Sequence, residues 1–350
     1  NGGIINAYKT NARLGAGEWT VVEADESDGS FTKLPATIAV VTNIDPEHME
    51  FYGTVEALHQ AFLKFISNIP FYGLAVLCAD HPTVMGLLPL ITDRRVVTYG
   101  FDETAMVRAI NLRQTVKGTA FDVEMARPLP LQAALHKNGD TVTPLPRKIK
   151  DLFLPMVGRH NVQNALSVIA IADELGLDES VIRKAFDTFK GVKRRFTHTG
   201  AVNGVTIIDD YAHHPVEIKT VIEAAKQATQ GRIWVVMQPH RYSRLHHLFE
   251  DFSHCFYGAH HVMLAPVYSA NEDPIPEATS EHLAEALQQN NIPTTLFYNP
   301  EELAPLLHSV VMPNDMILCL GAGNITQWAA ALPIQLANLP AISLKQEYVV

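Results

Sequence analysis

The sequence predicts an α/β protein with two mostly parallel-sheet domains in series, and three observations carry that reading. Apolar strand-like runs alternate with helical patterns early in the chain, the alternation lapses between about 95 and 155, and it resumes after Gly191-Val-Lys-Arg-Arg-Phe196 to continue to the end. Strand–helix alternation implies crossover connections, which lay strands side by side and parallel. The 350 residues, 18% charged and 47% hydrophobic, supply a core for each of two domains.

In the first half, strands are expected at 19–23, 38–44 and 73–79. A helix is expected over 54–67, capped by Thr54, with Val55, Leu58, Phe62, Phe65 and Ile66 on one face. Two of the strand runs end in candidate metal ligands: Glu23-Ala-Asp-Glu-Ser-Asp28 after the first and Asn43-Ile-Asp-Pro-Glu-His48 after the second. In a parallel sheet the ligand crevice lies beyond the carboxyl ends of the strands, so both segments are expected to face one pocket. Carboxylate with imidazole suits a divalent cation working on phosphate.

Between 95 and 155 short segments such as Val96-Val-Thr-Tyr99 and Phe121-Asp-Val-Glu124 lie among Gly, Pro and Lys, which suggests an antiparallel addition to the sheet. The loop Pro155-Met-Val-Gly-Arg-His-Asn161 then feeds a helix whose apolar side includes Ala165, Val168, Ile169, Ala172 and Leu175, ended by Gly176, with Asn161 and Asn164 in its first turn. The boundary falls near 192, giving domains 1–192 and 193–350. In the second, strands at 204–208, 232–237, 261–265, 294–298 and 315–320 alternate with helices near 215–229, 244–257, 280–289 and 300–310, the pattern of a Rossmann-like unit. Polar segments follow three of these strands: Asp209-Asp-Tyr-Ala-His-His-Pro215, Gln238-Pro-His-Arg-Tyr-Ser-Arg244 and Gly321-Ala-Gly-Asn-Ile325.

Composition excludes several function classes. A net charge of -10, from 27 basic and 37 acidic residues, argues against a nucleic-acid footprint, so an anionic substrate must be met locally. Cys78, Cys255 and Cys319 are odd in number and far apart, which fits neither a disulfide framework nor a zinc site and points to a reducing cytoplasm. No apolar stretch approaches the roughly 20 residues of a membrane span.

Six motifs in order, Glu-Ala-Asp-Glu-Ser-Asp, Thr-Asn-Ile-Asp-Pro-Glu-His, Gly-Arg-His-Asn-x-x-Asn, Arg-Arg-Phe, Asp-Asp-Tyr-x-His-His-Pro and Gln-Pro-His-Arg-Tyr-Ser-Arg, resemble the Mur ligases over nearly the whole chain. The first and last of these point to the branch that joins L-alanine to UDP-N-acetylmuramate. The resemblance implies an ATP-binding central domain followed by the Rossmann-like C-terminal domain, with a cytoplasmic bacterial role in peptidoglycan synthesis, and thereby in cell-wall biogenesis, cell shape and division. It implies ATP and Mg²⁺ as cofactors, and UDP-N-acetylmuramate and L-alanine as substrates, with no nucleic-acid partner and no membrane insertion. ATP phosphorylates the lactyl carboxylate, and the amine of the amino acid attacks the acyl phosphate.

The resemblance also implies residue roles. Glu23 and His48 match the metal positions, although imidazole is an unusual ligand for Mg²⁺. Asn161 and Asn164, with His160 between the glycine and the first of them, match the ATP-contacting helix start, where Asn also serves as an ordinary cap. Arg195 matches a phosphate fork and Asp210 a ribose or hinge partner; Glu23, His48, Arg195 and Asp210 form the implied catalytic set. Tyr211, His213, His240, Arg241 and Arg244 match the surroundings of the incoming amino acid, whose carboxylate calls for Arg.

The family's phosphate loop, ending Gly-Lys-Thr, has no counterpart in the 350 residues, so the chain is expected to be a fragment that begins inside the central domain and is inactive alone. Ala212 stands where this ligase usually carries Gly, as in the ligase that recycles a whole tripeptide onto the same sugar nucleotide; that acceptor is one alternative. A nucleotide-binding scaffold without turnover and a metal-dependent phosphohydrolase using Glu23, Asp25 and His48 are the others.

Overall fold

The structure, a computed structural model, describes residues 2–115, 117–126 and 148–340. It divides into two compact units, Asn1–Lys190 and Gly191–Val350.

In the first unit the chain forms β1 (Ile38–Val41), α1 (Met49–Tyr52), α2 (Val55–Ser67), β2 (Leu74–Cys78), α3 (Pro82–Leu87), β3 (Val96–Gly100), β4 (Val107–Thr115), β5 (Gly118–Met125), β6 (Lys148–Leu154), α4 (Arg159–Glu174) and α5 (Glu179–Asp187). The six strands make one sheet in sequential order: β1 to β4 pair parallel, and β4–β5–β6 continue antiparallel. The expected antiparallel addition is thus present, although 127–147 of that stretch lies outside the described residues.

α2 forms where the periodicity places it, with Thr54 Oγ1 accepting from Ala57 N. Leu58, Phe65 and Ile66 turn inward, while Val55 stays 39% exposed. They pack with Phe31, Val41 and Leu77 on one side of the sheet, and α4 covers the other through Val162, Leu166 and Ile169. Val168, expected on that inner face, is instead 49% exposed, because α4 buries a stripe one position removed from it.

The run 19–23 is not a strand. It lies outside any ladder, with Val21 97% exposed and Trp19 48% exposed, and β1 has only β2 as a neighbour among the described residues. Apolar content favours a strand, but a strand exists only when its backbone groups find a ladder partner.

The second unit comprises β7 (Thr197–Val202), β8 (Val205–Asp210), α6 (Pro215–Ala228), β9 (Ile233–Met237), α7 (Tyr242–His247), α8 (Phe249–His254), β10 (His261–Leu264), α9 (Ser280–Gln289), β11 (Thr294–Leu296), α10 (Pro300–His308), β12 (Met316–Leu320) and α11 (Ile325–Asn338). Its sheet runs β11-β10-β9-β12-β8-β7, parallel except for β7 on the edge. Every residue of β9 and of β12 is buried, the signature of central strands covered on both faces. The expected helix at 244–257 is broken in two at Leu248 (φ -113°, ψ 23°). Because β8, β12 and β9 are adjacent, the polar segments after Asp210, Leu320 and Met237 emerge side by side at one end of the sheet.

Candidate active site

In the first unit, the segment after β1 carries His48 at φ 56°, a left-handed conformation that starts α1 and turns the imidazole toward carboxylates. His48 Nε2 lies 3.5 Å from Glu26 Oε1 and 3.9 Å from Glu47 Oε2, and Nδ1 lies 3.7 Å from Glu50 Oε1. One ligand atom each from Glu26, Glu47 and His48 falls within 4.8 Å of the others. Two hard oxygen donors with one imidazole, beside a cavity of about 250 Å³ lined by Asn43 and Asp45, fit a divalent cation. Asp25 points locally instead: bonds from Ser27 hold its carboxyl below the usual value.

Glu23 stands apart from this group, exposed, with Oε2 accepting from Gly2 N at 2.6 Å. His48 is therefore surrounded by Glu26 and Glu47, two acids that lie inside the quoted motifs without having been singled out. Each becomes a candidate only through proximity to the imidazole.

The helix start at α4 is entered through Gly158 at φ 102°, which an L side chain would strain. Asn161 Nδ2 donates to Val157 O at 2.7 Å, so its amide partly serves the turn, whereas Asn164 is exposed. His160 is half-buried beside them. Asp80, just after β2, fixes this turn: it accepts from Phe101 N, from Asp102 N and from Gln163 Nε2 near the start of α4. Arg159 lies over the Phe101 ring at 3.7 Å, and these groups line a cavity of about 490 Å³. Asp80 escaped sequence reasoning because its partners come from two distant segments, Phe101-Asp102 and Gln163.

In the second unit, Asp210 is buried at the end of β8, with Oδ2 accepting from Phe196 N and Oδ1 from Ala212 N, both near 2.8 Å. Burial outweighs those bonds and pushes its carboxyl up to about 6. Both of its oxygens are thus occupied by backbone N–H groups of its own unit. The adjacent Asp209 accepts from Thr326 Oγ1 at 2.6 Å and lies 3.8 Å from Arg194, which also donates to the Gly321 and Ala322 carbonyls. Arg195, by contrast, leaves its side chain half exposed and faces Glu217 at 3.8 Å.

Around the segment after β9, His240 lies 5.9 Å from His213 between ring centroids, and Arg244 Nη1 lies 3.3 Å from His240 Nδ1. Tyr211 stands edge-on to His213 at 5.0 Å. Arg241, at φ 72°, lies 3.6 Å from Glu272, which accepts from Ser243 N and Oγ. Burial, reinforced by Arg244, pushes His240 down to about 4, and burial likewise lowers His213. Gly323 closes the floor: a Cβ there would sit 2.4 Å from Gln238 Oε1 and 2.9 Å from the Tyr268 ring. The structure thus brings together Tyr211, His213, His240, Arg241 and Arg244, as the sequence led us to expect, and adds Glu217 and Glu272.

Two stretches of the chain match known domains: 5–172 the Mur ligase middle domain and 194–323 the Mur ligase glutamate ligase domain. The UDP-N-acetylmuramate--L-alanine ligase of Paramagnetospirillum magneticum is 54% identical over 341 residues, covering 97% of this chain and 69% of that protein. That of Agrobacterium fabrum is 53% identical over 340 residues, with the same coverage. Among solved structures, UDP-N-acetylmuramate-alanine ligase MurC from Thermotoga maritima superposes with a TM-score of 0.72 at 26% identity, over 95% of this chain and 66% of that one. A murein peptide ligase from Psychrobacter arcticus shares the fold at 20% identity and a TM-score of 0.56, over 89% of this chain and 60% of that one. With its motifs in order, both domains matched and relatives above half identity along almost its whole length, the chain belongs to the Mur ligase family of ATP-dependent ligases.

Proposed function

We propose that the full-length protein joins L-alanine to the lactyl carboxylate of UDP-N-acetylmuramate with ATP, in bacterial cytoplasmic synthesis of peptidoglycan precursors, and so contributes to cell-wall biogenesis, cell shape and division. The observation that carries the acceptor side is the pocket of Arg241 and Arg244 around two histidines kept neutral by burial. Such a pocket offers guanidinium to a carboxylate and leaves ring nitrogens free of competing positive charge near an amine.

On the donor side, His48, Glu26 and Glu47 are the residues that would hold Mg²⁺, with Glu23 the motif-matched ligand outside that group. The cation, when bound, neutralises charge building on the transferring phosphoryl group. Asn161 and Asn164 present amides to the nucleotide, Arg195 presents a guanidinium to its phosphates, and Asp210 holds Phe196 and Ala212 in place behind that arginine. The γ-phosphoryl group passes to the lactyl carboxylate, giving ADP and an acyl phosphate. The amine then forms the C–N bond as the C–O bond to phosphate breaks and the amine proton leaves.

Ala212 does not argue for a tripeptide acceptor: it is fully buried, with its amide committed to Asp210. Among the described residues no helix is long and apolar enough to cross a membrane. The test is phosphate release by the full-length protein with ATP, Mg²⁺ and UDP-N-acetylmuramate. L-alanine-dependent release is expected; preference for the tripeptide overturns the acceptor, and release independent of any amine overturns the ligase reading.

A further inference from the structure

Glu217 occupies a position to which no role has been assigned. It sits in the first turn of α6, and its two oxygens do different things. Oε2 accepts from His213 N at 3.0 Å and His214 N at 3.2 Å, and lies 3.3 Å from His213 Nδ1. Oε1 lies 3.8 Å from Arg195 Nη1. His213 Nδ1 is also 2.9 Å from the Tyr211 carbonyl, which only accepts, so Nδ1 carries the proton and Nε2 keeps its lone pair in the neutral ring. A single carboxylate thus sets the tautomer and tilt of His213 and faces the guanidinium of Arg195.

We propose that Glu217 is a positioning residue that couples the nucleotide-side Arg195 to the acceptor-side His213. The inference rests on the ligase reading above, which gives those two residues their substrates. The plainer role of Glu217 is the capping box it forms with His214 at the start of α6. Glutamine performs that capping role equally well, since its amide oxygen accepts the same two N–H groups. What glutamine cannot supply is negative charge facing Arg195 and His213.

The experiment compares Glu217→Gln and Glu217→Ala with the parent in the full-length protein. We expect E217Q to keep the parent melting temperature while raising the dissociation constant of a non-hydrolysable ATP analogue and the KM for L-alanine, each by about three- to tenfold, the scale of a partly exposed ion pair. In an Arg195→Ala background, E217Q is expected to add less than about twofold to the nucleotide effect, because the partner is already gone. E217A is expected to lose melting temperature as well, reporting the cap. If E217Q binds both substrates within twofold of the parent, or if its nucleotide effect adds in full to that of R195A, the coupling is wrong and Glu217 is a cap only. A parent that fails to bind the analogue overturns the nucleotide reading of Arg195, and the coupling with it.

Discussion

The imidazole of His240 stacks on the phenol ring of Tyr268, with centroids 5.4 Å apart and planes 9° from parallel. The backbone supports this pairing: Arg241 N donates to Tyr268 O and Tyr268 N to Pro239 O, both at 2.8 Å. Arg244 can only donate, so His240 Nδ1 accepts and the ring is the Nε2–H tautomer. His240 should therefore titrate near 4, while an ordinary histidine titrates near 6.5. Its folded pKa is lowered, so the unfolded chain binds more protons between about 4 and 6.5, and this group's contribution to stability falls as pH drops through that window. Asp210, raised to about 6, works in the opposite direction: its contribution is present below about 3.8 and is lost as pH rises through 6. Histidine ring NMR across pH 3.5–8 checks the first assignment; a His240 midpoint near 6.5 would discard it.

Truncating the arginines of the acceptor pocket is expected to act on one substrate. Arg241→Gly, which suits the positive φ there, and Arg244→Ala should each raise the KM for L-alanine by about 10- to 100-fold, the worth of a charge-assisted bond of roughly 1.5–3 kcal/mol. ATP affinity should change far less. Steady-state kinetics with each substrate varied separately decides it, and a larger effect on ATP would move these residues to the phosphate side.

For the cation, Glu23→Gln should cut turnover by about 10²-fold or more, the loss of one transition-state charge stabiliser, and His48→Gly, which suits the left-handed backbone there, should raise the Mg²⁺ requirement at least tenfold. Both variants should fold, since Glu23 is exposed and His48 lies in an open turn. Mg²⁺ titrations of activity give the answer. Should Glu26→Gln or Glu47→Gln cost more than Glu23→Gln, the cation is centred on His48 and its two adjacent acids, without Glu23.

Stability of the second unit should depend on Asp315, which is 3% exposed and accepts from Arg232 N and Nη2, Trp234 Nε1 and Met312 N at 2.7–3.0 Å. Burial alone would raise its pKa, but these donors outweigh burial and hold the carboxyl below the usual 3.8. The stabilisation is thus present above the unfolded value and is lost as pH falls through the lower folded one. Asp315→Ala leaves the Arg232 guanidinium and the Trp234 N–H without their acceptor and should cost about 3–5 kcal/mol. Urea unfolding measures it; a loss below about 1 kcal/mol would mean that water replaces the carboxylate.

Much of this architecture was legible because its signals are local. Thr54 and the spacing of Leu58, Phe65 and Ile66 define α2 without reference to the rest of the chain, and the buried runs of β9 and β12 declare central strands. The run at 19–23 misled because pairing, not composition, makes a strand. The edge strand β7 was missed for the converse reason. Thr197-His-Thr-Gly-Ala-Val202 has little apolar alternation, yet antiparallel pairing with β8 holds it, with Gly200 fitting under Pro333 of α11. In the site, His48 stood out as a ligand type after a strand, and His213, His240 and the two arginines through the motifs shared with the family. Glu272 did not, because its meaning comes from Ser243, 29 positions away. Asp80 likewise depends on Phe101 and Gln163.

His48 and Arg241 share an unusual property: each stands at positive φ immediately before a short helix, at 56° and 72°. Their main-chain conformation is therefore as selective as their chemistry. Glycine enters either conformation with little strain and asparagine that of His48 (ψ 37°), but not that of Arg241 (ψ 133°), whereas a β-branched residue would have to shift the turn and drag Met49 or Tyr242 with it. Alanine scanning at these two positions conflates the loss of a ligand with a twist of the chain, and glycine is the replacement that deletes the ligand alone. The spectrum of tolerated substitutions at 48 and 241 should accordingly follow backbone preference first and side-chain polarity second.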